Sequence, residues 1–160
     1  MDILLERELI TKAWFDDRGF IMIKGILIDD MHHIEAVIAF DYDLEKVVAI
    51  DEVKWVRAPY APCSDVAQIS NRIIGLEVKT GATAIINHEL GESDGCIHLA
   101  EVVVQIFKCF FQVKHRVEDR KLQTEEERKS RKYRVLRNSC YAYTDKVKLS
   151  SSGIQTPSEC

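Results

Sequence analysis

The stretch Gly19-Phe20-Ile21-Met22-Ile23-Lys24-Gly25-Ile26-Leu27-Ile28-Asp29-Asp30 decides the fold of this chain. Between its flanking turn residues nearly every position is β-branched, aromatic or long and apolar. Asp16-Asp17-Arg18-Gly19 precedes the run and Asp29-Asp30 ends it, which predicts a strand over residues 20–28. Alternation is blurred in Phe20-Ile21-Met22-Ile23, as expected for a strand covered on both faces. The same composition recurs outward from it, over residues 7–14, 34–40 and 47–56, with Asp41-Tyr42-Asp43 as a further turn. In Val53-Lys54-Trp55-Val56-Arg57 the alternation is clear, with one apolar and one solvated face. Connections this short join antiparallel neighbours, because parallel strands need a crossover of about a dozen residues. The first third therefore reads as a four-stranded antiparallel meander.

After Pro59 and Pro62 the period lengthens. Val66, Ile69, Ile73 and Ile74 fall at helical spacing and stop at Gly75, and Asp65 with Gln68 fits a capping box. A helix is expected from about Asp65, which puts Cys63 immediately before its N-terminus. A short helix is expected from Thr80, and Gly91-Glu92-Ser93-Asp94-Gly95 reads as a loop. From Cys96 to about Arg120 apolar residues occupy nearly every side, the mark of a central buried helix that Ser93 or Asp94 can cap. Residues 121–134 are charged and helical in propensity, 135–149 are expected to be extended, and 150–160 form a Ser-rich tail with no means of packing. The fold class is α+β: a meander packed against C-terminal helices, one domain over residues 1–149 and a disordered tail over 150–160.

With 160 residues the chain is long enough for one compact core and short for two domains. A net charge of -4 offers no basic face to a phosphate backbone, so nucleic acid is not an expected partner. The basic residues between Lys114 and Arg137 are interleaved with Glu118, Asp119, Glu125, Glu126 and Glu127, which makes a self-paired helix face. Residues 1–7 lack the apolar core of a signal peptide, and charge interrupts the longest apolar stretches, so no membrane is expected. The five cysteines then read as thiols of a cytoplasmic protein.

Cys63 and Cys96 share a placement at the positive end of a helix, where unpaired N–H groups stabilise a thiolate. His98 can reach the same helix mouth if Cys96 lies at the cap. Spacing alone leaves the alternative of buried cysteines acting as small hydrophobes, the reading that suits Cys109 in the long apolar run. No glycine-rich phosphate loop and no serine nucleophile elbow is present. His32-His33 reads as a solvated turn and Asp29-Asp30 as turn formers, and His88, next to Glu89, is close in sequence to the loop before Cys96 without a role being assigned to it.

Pro62-Cys63, Leu76 with Gly81, and Gly95-Cys96-Ile97-His98-Leu99 together resemble the bacterial family catalogued as domain of unknown function 2889. Its Gly-x-Leu-x-Asp element is matched by Gly25-Ile26-Leu27-Ile28-Asp29, its Gly-Cys-x-His-Leu motif by residues 95–99, and its late cysteine by Cys140 within Asn138-Ser139-Cys140-Tyr141-Ala142. The chain departs from the family where it carries Glu92 and Ser93 in place of a second glycine, and Tyr141 in place of a histidine. Element order is also similar to that of iron-sulfur cluster assembly scaffolds, with antiparallel strands, a cysteine opening one helix, and a histidine and cysteine opening another.

Three functions compete. In the first, Cys63, Cys96, His98 and Cys140, or Asp29 in place of Cys140, hold zinc or iron, and an open position makes the site a hydrolase or lyase of bacterial catabolism. In the second, the thiolates carry persulfide or a labile iron-sulfur cluster for a partner protein. In the third, the chain is a non-catalytic accessory domain making subunit contacts. Its partner is accordingly a small molecule or a protein, a second copy included.

Overall fold

The computed structural model describes residues 2–137 together with Ser139 and Tyr143. Four strands, β1 (Arg7–Phe15), β2 (Ile21–Asp29), β3 (His33–Asp41) and β4 (Lys46–Arg57), form one antiparallel sheet in the order β1-β2-β3-β4. The meander is the one its turn residues imply, and the acidic residues act by taking backbone N–H groups. Asp16 accepts from the N–H of Arg18 at 3.0 Å and of Phe20 at 2.9 Å, and Asp41 accepts from Asp43 at 2.9 Å and Leu44 at 2.8 Å.

Register sorts the sheet into two faces. Ile21 opposite Phe40, Ile23 opposite Ile38, Gly25 opposite Ala36, and Leu27 opposite Ile34 form the core face. Onto it packs α1's long successor α2 (Ile97–Arg120), which follows α1 (Ala82–Gly91) and buries Leu99, Val102, Val103, Ile106 and Phe110. At Gly25 the helix lies close against the strand: a Cβ there would sit 2.7 Å from Ile106 Cγ1 and 2.8 Å from Val102 Cγ1. Phe40 meets Phe107 edge-on at 5.4 Å and Phe110 at 4.8 Å between ring centroids, filling the other end of the face.

The opposite face carries a small cluster of Met22, Val37 and Ala39 flanked by Phe20, Val48 and Ala49, and beside it Glu35 pairs with Lys24 at 2.6 Å and Lys54 at 3.1 Å. Met22 is buried on this face and Ile21 and Ile23 on the core face, which is why the alternation of β2 is blurred at that end. Glu35 is held as a carboxylate, its pKa lowered to about 2 chiefly by the Lys24 hydrogen bond.

The helix expected from Asp65 starts earlier. Residues Ala61–Ile73 wind as a 3-10 helix with Tyr60 at the N-cap and Pro62 in the first turn, whose fixed φ suits that position. Cys63 therefore lies inside the first turn rather than before it. The short helix α1 begins at Ala82, because Gly81 takes a left-handed φ of 92° and fixes its start two residues after Thr80. The charged segment forms α3 (Glu125–Leu136), opened by a capping box between Thr124 and Glu127, so Val135 and Leu136 are helical rather than extended. Apart from Arg137, Ser139 and Tyr143, the remainder of 135–149 and all of 150–160 lie outside the described residues.

The chain divides into two compact units, residues 1–115 and the residues from Arg116 onward. Within the second, α3 buries no residue and its charges are taken up locally: Asp119 accepts Arg131 at 2.9 Å and Lys132 at 3.3 Å, and Glu125 pairs with Lys129 at 2.9 Å. Among the described residues no helix is long and apolar enough to cross a membrane.

Candidate functional site

The core face of β2 runs Ile21, Ile23, Gly25, Leu27 and ends at Asp29. An apolar line thus closes on a carboxylate, and the side chain is 1% exposed. Such burial is tolerated only when the charge is paired and hydrogen-bonded. The turn Asp29-Asp30-Met31-His32 supplies part of this: Oδ1 accepts from the Met31 N–H at 2.9 Å and the His32 N–H at 2.7 Å, while the Asp29 N–H donates to the His32 carbonyl at 2.9 Å. Arg7 supplies the rest. It faces Asp29 directly across β1 and β2, and donates to Oδ2 from Nε at 3.0 Å and Nη2 at 2.7 Å. Its remaining nitrogen, Nη1, reaches Glu101 of α2 at 3.0 Å, and Arg57 at the end of β4 donates to the Asp29 carbonyl.

The same turn swings the His32 ring back beneath the strand. Its Nδ1 lies 3.0 Å from Asp29 Oδ1, and the residue is 8% exposed. Burial by itself raises the Asp29 carboxyl, yet the Met31 N–H, Arg7 and the His32 groups outweigh it and hold the acid well below the usual carboxylate range. An ionised Asp29 can only accept, so Nδ1 of His32 carries the proton and Nε2 is the free position.

His98 completes the group. One residue into α2, its ring stacks on that of His32 at 3.9 Å between centroids with planes 31° apart. Burial lowers its pKa, and the adjacent His32 ring and the Arg7 guanidinium lower it further, which favours the neutral form of His98. Glu101 follows one turn later on the same helix face. Asp29, His32 and His98, with Arg7, Arg57 and Glu101 around them, therefore form a pair of imidazoles in ring contact, His32 buried and oriented by a carboxylate and His98 half-buried against it. They hold a proton at a fixed atom, Nδ1 of His32, with a second imidazole stacked beside it.

His98 and Asp29, named from sequence, are brought together here, and the connecting residue is His32. The expectation of a solvated turn fails for His32, because Asp29 three residues earlier captures its ring. His33 alone faces outward, bonded to Glu35 at 3.1 Å. His88 is bonded to Glu92 at 2.7 Å on the exposed surface of α1. Cys63 is half-buried in the 3-10 helix. The Cys96 N–H donates to the Leu90 carbonyl at 2.7 Å, and its side chain packs against the core, as does Cys109. Gly95 makes that turn possible, since a Cβ there would lie 2.3 Å from the Leu90 oxygen. Cys140 lies outside the described residues, and among those described no group of three or more His, Cys, Asp or Glu side chains is placed to hold a metal ion. A spacing of Asp-x-x-His at a strand end was the signal for His32; nothing local marked Arg7, whose partners are 22 and 94 residues away.

No curated protein and no solved structure matches the chain. The family described as "Protein of unknown function (DUF2889)" matches residues 7–112, which contain β1 to β4, both ends of the Asp29–His98 group and most of α2. The chain belongs to that family.

Proposed function

We propose that this protein is an enzyme of general acid–base type, with Asp29, His32 and His98 as its centre. The observation that carries the reading is the buried Asp29–His32 hydrogen bond. It fixes one tautomer, presents Nε2 as base and stabilises the imidazolium formed when that atom takes a proton. His98, kept neutral against it, is the second group able to accept or return that proton. Hydrolysis and elimination are the reaction classes such a pair serves. The test is a panel of ester, amide and lyase substrates assayed with wild type and with His32→Gln. Turnover should fall by a factor of about 10² to 10⁴ in the variant, and an activity that survives the substitution undiminished would overturn the assignment.

A second reading is favoured by the same hydrogen bond, because a carboxylate that holds one imidazole nitrogen commonly orients the other as a metal ligand. Zinc or iron would then be held by His32 Nε2 together with ligands drawn from His98, Cys63, Cys96 and Cys140, the residues named from sequence, and it would polarise a substrate or a water. Metal analysis of protein purified without a tag decides it: less than a tenth of an equivalent sinks the reading. The scaffold-like role of carrying a cluster or persulfide rests on element order with Cys63, Cys96 and His98. A brown protein on anaerobic purification supports that role, and a colourless one opposes it.

A further inference from the structure

β1 is an open edge, and all nine of its residues are exposed. The other edge of the sheet is partly closed by residues 75–78: the Gly75 N–H donates to the Val47 carbonyl at 2.9 Å, the Val47 N–H to Leu76 at 3.0 Å, and the Val78 N–H to Glu45 at 2.7 Å. β1 has no strand partner beyond β2 among the described residues. It also carries Leu9, Ile10, Trp14 and Phe15, each between 36% and 51% exposed. A long apolar edge with free N–H and C=O groups is a template for another strand.

The charges on β1 say which strand fits. Glu8 and Lys12 lie on the same face, about 13 Å apart along the strand, too far to pair with each other. Across β2, Glu8 faces Ile28 and Lys12 faces Lys24, whose ammonium is already bonded to Glu35. Lys12 is thus set against a like charge, an unfavourable cross-strand pair, and neither Glu8 nor Lys12 makes an ion pair among the described residues.

We propose that β1 pairs antiparallel with β1 of a second copy about a two-fold axis at Ile10. In that register Glu8 of each copy faces Lys12 of the other, Ile10 meets Ile10, and Leu9 meets Thr11. Just outside the strand, Leu5, 59% exposed, falls opposite Phe15, 51% exposed. Moving the axis to Thr11 sets Glu8 against Trp14 and Lys12 against Ile10, and moving it to Leu9 sets Glu8 against Ile10 and Lys12 against Glu6, which lies outside the strand. Of these three, only the axis at Ile10 sets Glu8 against Lys12, the two charges of β1 besides Arg7, which Asp29 and Glu101 already take up, and the result is a continuous sheet across two copies with the two open edges removed.

Sedimentation of the full chain tests the pairing. A dimer is expected in wild type, and Glu8→Lys or Lys12→Glu alone should each weaken it about tenfold, because each creates two like-charged pairs by symmetry. The double reversal, Glu8→Lys with Lys12→Glu, should restore it. Both positions are exposed, so unchanged circular dichroism and melting separate loss of pairing from loss of fold. Ile10→Cys should add an intermolecular disulfide on mild oxidation that wild type does not form. A chain that is monomeric at millimolar concentration, a dimer indifferent to both single reversals, or one that the double reversal fails to restore would overturn the proposal.

Discussion

Replacing Asp29 by Asn keeps the shape of the side chain and removes its charge. The amide oxygen can retain the Met31 and His32 N–H groups at Oδ1, at 2.9 and 2.7 Å, so the amide nitrogen must then face Arg7, donor against donor. The two Arg7 bonds to Oδ2 are lost and the His32 Nδ1 bond to Oδ1 keeps its partner but not its charge, and bonds to charged groups contribute about 1.5–3 kcal/mol each. Arg7 recovers part of this, because its side chain is 28% exposed and keeps Glu101 at 3.0 Å. A net destabilisation of about 3 kcal/mol follows, which for a chain of this length lowers the melting midpoint by about 6–12 °C. The pH dependence has a definite sign. Folding depresses the Asp29 pKa below its unfolded value near 3.8, so the stabilisation is complete above that value and is lost as pH falls through the acid range toward the folded value. Urea unfolding of wild type and variant should give a constant difference between about pH 8 and pH 5, narrowing below about pH 4. A loss smaller than about 1 kcal/mol, or a difference that disappears near neutral pH, would refute an ionised carboxylate in this position.

In an NMR titration of the ring protons, His98 should show a midpoint below 6.5 because of burial and then the adjacent His32 ring and the Arg7 guanidinium, while His88, held by Glu92, should show one above 6.5; the reverse order refutes the site electrostatics. Since folding lowers the His98 pKa, its neutral form favours the native state, and that share of stability is lost as pH falls through 6.5 toward the folded value. Gly95→Ala drives a methyl group onto the Leu90 carbonyl and should cost about 2–4 kcal/mol in a thermal melt, so a neutral result would show that the turn before α2 is not this tight. Gly25→Ala should cost about 1–3 kcal/mol, and combined with Ile106→Val it should cost less than the sum of the two, since both act at one contact.

The sheet was legible because its turns are made by residues whose chemistry is local. Asp16 and Asp41 take N–H groups two to four positions ahead, and such contacts are written in the sequence. The start of the 3-10 helix was misplaced because Asp65 and Gln68 mimic a capping box, whereas the observed N-cap is Tyr60 with no side-chain bond. In the site, His98 was legible from its place at the head of the long helix. His32 was not, because a histidine in a turn reads as solvated until the fate of the preceding carboxylate is known. Arg7 was beyond local reading altogether: its role depends on the register of β1 against β2 and on the arrival of Glu101, both products of the complete fold.

Arg7 stands on the strand with the least protection. β1 is bonded on one side and buries none of its residues, so its amides are among those that open to solvent exchange at the smallest free-energy cost. When the strand peels away, Arg7 leaves with it, and Asp29 and Glu101 lose their shared counter-charge in a single event. Fraying of an outer strand and the loss of an interior carboxylate's counter-charge are therefore one process, and a second strand laid along β1 would slow both together.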